Sequence, residues 1–338
     1  MSPFPSIHTC KRHRSIDQVP HERMMNMASR IGMSYFEVWG GNEHTDVNLT
    51  LPGMEAWVLC RPHGSTSYGG DVHYFSSCGT GRITRLMLVD VMGHGEEAAG
   101  IARFLWGLMR RYLNHIEPYK IAAEMNQGLH DHQQGMGRFA TAVIMTYFAP
   151  IGELTLCNAG HPPPMIYRRG CRSWTVMNSY RSDEGTINLP LGILEESGYA
   201  GWQMTLEPND HVLIYTDGLI EARNRDGKML GTENLRQFLN DVGDPERSKE
   251  PQELAHGLMR QFEAHGYHAD DDLSVILLRC TQRVAGAGAI GRVKGIWRGL
   301  CSLLGNQGVP WPEMSVRNLL GGMLPPFNRY RPRYHREK

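Results

Sequence analysis

No two cysteines in this chain of 338 residues stand in a CxxC pair, although seven are present (Cys10, Cys60, Cys78, Cys157, Cys171, Cys280 and Cys301). Scattered and odd in number, they argue against a disulfide framework and against a cysteine zinc site, and for reduced thiols in a cytoplasmic protein. The chain has no run of about 18 uncharged apolar residues, so no membrane span is expected. The formal net charge is zero, which gives no reason to expect a nucleic acid or an acidic partner. A GxxxxGK[ST] loop is absent, so cradling a nucleotide phosphate is not the theme. The opening MSPFPSIHTCKRHRS has no apolar run behind its basic residues and does not read as a secretory leader.

With 41% hydrophobic and 21% charged residues, the bulk of the chain is expected to fold around a sizeable core. Composition divides it in three. Residues 1–50 are polar and weakly patterned and read as an N-terminal arm, partly helical around Glu22 to Gly32. Residues 51–281 carry the periodic elements of one domain. Residues 282–338 form a Gly- and Pro-rich basic tail ending in Arg329, Arg331, Arg333, Arg336 and Lys338, with a weak amphipathic stretch over 290–304.

Within the middle region, strands are predicted at Met54–Cys60, Val72–Phe75, Ile83–Val91, Ala140–Phe148, Leu154–Asn158, Pro164–Tyr167, Trp202–Leu206, His211–Thr216 and Leu273–Arg279. Helices are predicted at Glu97–Leu113, Pro118–His130, Thr232–Leu239 and Gln252–His265. The helices cluster instead of alternating with the strands. That order points to the α+β class, with two antiparallel sheets packed as a central sandwich and flanked by helices.

The most informative stretch is Leu86 to Leu105. An apolar run delivers Asp90 to a strand tip, Gly93-His94-Gly95 turns the chain, and Glu96 and Glu97 open a helix where its positive end favours them. Ile101, Leu105, Leu108 and Tyr112 mark its expected apolar face. Other acids recur at strand ends. Asp71 follows Gly69-Gly70, Asp217 follows the run from His211 to Thr216, and Asp271 and Asp272 precede the last strand. Gathered carboxylates repel unless a cation sits among them. Oxygen ligands without a His or Cys set favour Mg²⁺ or Mn²⁺. Two such ions about 4 Å apart are a standard apparatus for hydrolysing phosphate esters.

The stretches YGGD (68–71), VDVMGHGEEAA (89–99), FATAVIM (139–145), NAGHPPP (158–164), LPLGI (189–193), YTDGLIEARN (215–224) and DDLSVILL (271–278) resemble the protein phosphatase 2C superfamily (PPM type). They are most similar to its bacterial SpoIIE-like, stress-response serine/threonine phosphatase branch, and the resemblance spans about 51–280. It implies a two-metal (Mn²⁺ or Mg²⁺) protein serine/threonine phosphatase of bacterial signalling. Asp90 would bridge both ions, and the Val91 carbonyl would add a ligand. Asp217 and Asp271 would complete the second ion, and Asp71 would act mainly through bound water. Asp272 would support them from behind. A metal-bound hydroxide would attack the phosphorus of phosphoserine or phosphothreonine. The substrate implied is a phosphoprotein, in this branch often an anti-sigma factor antagonist.

Two departures stand out. Tyr74 occupies the place of a second acid after the GGD motif. Met92 falls where eukaryotic relatives carry a proton-donating histidine, so His94 is the nearest candidate for a catalytic acid. His161 in NAGHPPP reads as a turn-stabilising residue among prolines. The competing reading of the whole is a catalytically silent phosphatase fold used as a binding or scaffold module; acids at every expected ligand position argue against it. The extended basic tail reads as a solvated end or, as the competing reading, as an element that docks weakly to anionic surfaces.

Overall fold

The computed structural model describes residues 29–33, 37–64, 66–78, 81–112, 115–133, 137–177, 188–242, 245 and 250–284. The basic tail, its 290–304 segment and residues 1–28 lie outside the described residues.

Among the described residues thirteen strands form two sheets. One holds seven strands: β1 (Ser29–Gly32), β3 (Thr45–Leu51), β4 (Met54–Arg61), β13 (Leu273–Cys280), β12 (His211–Tyr215), β9 (Met165–Arg168) and β10 (Ser173–Val176), in that spatial order. The other runs β11 (Gly201–Thr205), β8 (Glu153–Ala159), β7 (Ala140–Phe148), β6 (Ile83–Val91), β5 (Tyr68–Ser77) and β2 (Glu37–Glu43). Every pairing is antiparallel except β1 with β3, which is parallel.

Three layers of core follow from the alternation of side chains along these strands. Leu86, Leu88, Val143, Met145, Val58 and Ile276 fill the space between the sheets. Val72, Met87, Val89 and Ile144 point the other way and meet α1 (Glu96–Arg111) and α2 (Pro118–Gln133). Trp57, Leu213, Val275 and Leu277 meet α4 (Gly231–Val242) and α5 (Pro251–Ala264) on the opposite flank. The expected α+β sandwich is therefore present as four layers, helices outside and sheets within. Among the described residues no helix is long and apolar enough to cross a membrane.

Helix α1 carries Glu96 and Glu97 in its first turn and Arg110 and Arg111 in its last, as the dipole favours. Its buried face is Ala98, Ala102, Leu105 and Leu108 with Met109, whereas Ile101 is only half-buried. The alanines let the helix lie close on β5: a Cβ on Gly70 would stand 3.3 Å from that of Ala98.

The N-terminal boundary expected at residue 50 needs correction. Ser29–Gly32 is a strand, not the end of a helix, and Glu37–Glu43 and Thr45–Leu51 are further strands. Strand β2 covers β5 as an edge, and β3 pairs along the whole of β4. Their polar composition hid them because edge strands bury only part of their side chains. Trp39, partly buried, packs against the inter-sheet core, and Met33 is buried within it. Strand β10 and the short helix α3 (Asp217–Ile220) were also not foreseen; each has only four residues, too short for a periodic signal.

Removing residues 1–50 should therefore uncover β4 and β5 and destroy cooperative folding. Thermal unfolding followed by circular dichroism is expected to show no sharp transition for a chain starting at Leu51. A transition like that of the full chain would show that β1–β3 are dispensable.

Candidate metal centre

Asp71, Asp90, Asp217, Asp271 and Asp272 come from both sheets and meet at one end of the sandwich. Residues of odd number in β5 and even number in β6 face the inter-sheet space, which turns Asp71 and Asp90 inward. Asp71 is 1% exposed. Asp90 lies opposite Thr141 of β7. Asp217 opens α3 directly after β12, and Asp271 is exposed in the turn before β13.

Hydrogen bonds sew the two sheets together here. The Thr216 hydroxyl, fully buried at the tip of β12, donates to Asp71 Oδ2 at 2.9 Å and accepts from the Ser274 N–H of β13 at 2.9 Å. Asp272, 5% exposed, accepts from the Gly70 N–H of β5 at 2.5 Å and from the His63 N–H at 2.6 Å. Its carboxylate nests where only glycine leaves room, because a Cβ on Gly69 would stand 2.8 Å from it. Gly218 is demanded in the same way: its Cβ would lie 2.1 Å from the Asp272 carbonyl oxygen. Asp272 thus holds the start of β13 against β5.

The Val91 carbonyl has a specific setting. Ala140, its partner in β7, commits its N–H and C=O to Leu191 at 3.0 and 2.7 Å. The Val91 oxygen lies 3.1 Å from where a Cβ on Gly70 would stand, which places it beside the residue that precedes Asp71.

Crowding shows in the acids themselves. Burial, and then the carboxylates of Asp217, Asp271 and Asp272, push the Asp90 carboxyl up to about 8. Burial and Asp90 raise Asp71 well above the ordinary range, partly offset by the Thr216 hydroxyl. Burial, Glu221 and Asp271 raise Asp217. Like charges brought together out of water favour protonation unless a cation neutralises them. The donor set is all oxygen, which suits hard divalent ions. Among the described residues, however, no three histidine, cysteine, aspartate or glutamate side chains already close around one point as ligands. The acids are gathered but not drawn in.

His94 is exposed, and its ring lies 5.7 Å from that of His63. The structure brings it to the mouth of the acidic end but shows no contact with the acids. His161 is locked: its N–H donates to Asn158 Oδ1 at 2.8 Å, its carbonyl accepts from Asn158 Nδ2 at 2.9 Å, and Nδ1 lies 2.8 Å from the Thr141 hydroxyl. Burial lowers its pKa to about 3, so it is neutral, and the turn-stabilising reading fits.

Residues 80–281 match the family model of Stage II sporulation protein E (SpoIIE). The chain belongs to the SpoIIE family. The phosphoserine phosphatase RsbP of Bacillus subtilis (strain 168) is 24% identical over 226 residues, which cover 64% of this chain and 50% of RsbP. The chain thus spans about half the length of this curated relative. Two solved structures share the fold. The PP2C phosphatase domain of SpoIIE from Bacillus subtilis, solved with a fragment of its regulatory domain, is 17% identical with a TM-score of 0.54, covering 73% of this chain and 62% of that one. RsbX in complex with magnesium is 15% identical with a TM-score of 0.52, covering 70% of this chain and all of that one.

Two structural residues of this SpoIIE-family site escaped the sequence reading. Thr216 stands inside the YTDG motif, hidden by the acid beside it. Asn126, 2% exposed in the middle of α2, donates to the Leu194 and Glu195 carbonyls at 2.9 and 3.0 Å. Its Oδ1 accepts from the Gly192 N–H at 2.8 Å and the Tyr199 hydroxyl at 3.1 Å. It therefore fixes the loop whose Leu191 braces β7 beside Val91. A polar residue among Ile121, Ala122, Met125 and Leu129 was its only signal.

Thr216→Val keeps the shape but deprives Asp71 and the Ser274 N–H of a partner. It should cost about 1–3 kcal/mol of stability. Urea unfolding of wild type and variant measures this directly; equal midpoints would remove Thr216 from the link between the sheets.

Proposed function

We propose that this chain is a metal-dependent protein serine/threonine phosphatase. The observation that carries the reading is the gathering of five buried or half-buried and exposed aspartates from two sheets at one end of a SpoIIE-family sandwich, where their mutual repulsion leaves a cation as the natural occupant. Asp90, with carboxylate neighbours from both sheets, would be a principal ligand of such ions. Asp217, Asp271 and the Val91 carbonyl would complete their ligands, and Asp71 would contribute through water. Magnesium in RsbX supports a hard divalent ion, and the oxygen donors suit Mg²⁺ or Mn²⁺ equally. Bound there, such ions would activate water for attack on phosphorus and neutralise charge on the phosphoryl oxygens.

The chain's own residues do the rest. Asp272 and Thr216 hold the acid-bearing strand ends in register across the inter-sheet gap. Asn126 fixes the loop along one rim. A serine alkoxide is a poor leaving group and needs a proton, and in this reading His94, exposed with its ring 5.7 Å from that of His63, would supply it. The substrate in this reading is a phosphoserine or phosphothreonine carried by a protein, with an anti-sigma factor antagonist the class that the resemblance suggests. RsbP, whose name specifies phosphoserine, supports the same substrate group.

Asp90→Asn should lower Mn²⁺-dependent turnover of a phosphoserine peptide by on the order of 10²–10³-fold while the unfolding midpoint stays in place or rises. Asp217→Asn and Asp271→Asn should each weaken Mn²⁺ binding measured by calorimetry. Folded variants with wild-type turnover in limiting Mn²⁺ would overturn the assignment.

His94→Gln separates the proton donor from the metal site. A phosphoserine peptide, whose leaving group needs a proton, should be turned over about 10²-fold more slowly. p-Nitrophenyl phosphate, whose leaving group is stable as an anion, should be hydrolysed at the wild-type rate. Equal loss on both substrates, or none on either, would rule His94 out as the donor.

A further inference from the structure

The side of β5, β6 and β7 that faces α1 is not wholly apolar. Ser76, Arg85 and Thr146 stand in one cross-strand row, so their side chains emerge together on that face. Tyr74 stands two residues from Ser76 on the same face. All four are nearly or fully buried, with Tyr74 at 0% and Thr146, the most accessible, at 5% exposure. Above them lie Trp106 and Arg110 of α1 and His115 beyond its end. The Tyr74 and Trp106 rings are 6.4 Å apart, and the Arg110 guanidinium covers Trp106 at 5.6 Å.

What these groups lack is an acceptor of matching charge. Arg85 is 4% exposed and donates from Nε to the His115 carbonyl at 3.0 Å. Among the described residues no carboxylate acts on it; its electrostatic neighbours are Cys78 and Tyr74. The Tyr74 hydroxyl faces Ser76, Arg85 and Arg110. Yet Thr146 Oγ1, Trp106 Nε1 and His115 Nε2 lack a hydrogen-bond partner among the described residues, and Tyr74 Oη and Ser76 Oγ have at most each other. Orphaned groups at this density in one place are rare, because each costs the full desolvation of a polar group. A buried guanidinium without a counter-charge is costlier still. The hydroxyls and the indole N–H can all donate, and the nearby charges are positive. One kind of guest satisfies that set.

We propose that Tyr74, Ser76, Arg85, Thr146 and Trp106 form a closed binding site for a small inorganic anion of halide size beneath α1. The near-total burial of the lining limits the occupant to a small one. The site is remote from the acidic end by side-chain direction, since Arg85 and Asp90 share β6 but point to opposite faces of its sheet. Its occupancy would bind β6 to α1 and the turn that follows it, so the anion would stabilise the same helix that begins just after Asp90.

The test is thermal unfolding of the full chain, without added divalent ions, titrated with sodium chloride against sodium gluconate at constant ionic strength. An anion bound only by the folded state raises the midpoint with the logarithm of its concentration once its Kd is exceeded. We expect that rise with chloride and with bromide, not with gluconate. Tyr74→Phe should weaken the apparent chloride affinity about tenfold, the worth of a hydrogen bond to an ion. Arg85→Gln should abolish the response. If Arg85→Gln does not fold, Tyr74→Phe decides alone. With no anion in the site, Tyr74→Phe would shift the midpoint by the same amount at every salt composition, and wild type would not distinguish chloride from gluconate. Either that pattern, or a chloride response unchanged in Tyr74→Phe, overturns the proposal.

Discussion

Mutual repulsion of carboxylates is the constraint on which the active end of this molecule is built. Asp71, Asp90, Asp217, Asp271 and Asp272 are brought within electrostatic reach of one another by two separate sheets. Left alone, such a group would push the sheets apart at that end. The fold opposes this with short, directed hydrogen bonds that cross the gap, Thr216 to Asp71 and the Gly70 N–H to Asp272, while the His63 N–H holds Asp272 from within its own sheet. Glycines at 69 and 218 matter because these crossings need backbone contact with no side chain between. The sandwich is held in a state that a divalent ion would relax, which is the physical ground for the proposed metal dependence.

The same logic explains what could be read from the sequence and what could not. Strands β6 and β7, with near-continuous apolar runs, were placed residue for residue as Ile83–Val91 and Ala140–Phe148. They are central, buried on both faces, and their period is masked by uniform burial; length and flanking turns identified them. The acids at strand tips were legible because a carboxylate following an apolar run and preceding glycine has few other uses. Strands β1, β2 and β3 were not legible. They lie toward the sheet edges, carry Glu37, Asn42, Glu43, Asp46 and Asn48, and take their structure from partners far along the chain. Edge strands have propensities that tertiary pairing overrides.

Side-chain direction was the other missing quantity. Sequence spacing put Ile101 on the inner face of α1, but the helix turns Ala98 and Ala102 to the sheet instead, because β5 at Gly70 lies too close for a larger residue. Nor could spacing tell that Tyr74, standing where an acid is common in similar sequences, points away from the acidic end into the layer beneath α1. Its hydroxyl then belongs to a different electrostatic problem, centred on Arg85.

Two charge problems of opposite sign are therefore set on the two faces of one sheet. On the inner face at the strand tips there is surplus negative charge. On the outer face beneath α1 there is a buried guanidinium on which, among the described residues, no carboxylate acts. Strand β6 carries a residue of each, Asp90 and Arg85, five positions apart and so on opposite faces. They cannot neutralise each other through the sheet, since each points into its own layer. Each layer must then find its counter-charge separately, which makes β6 the element through which ions on either side would act on the other. If both proposed sites are occupied, β6, whose end leads toward α1, is where salt composition and metal loading would meet in this protein.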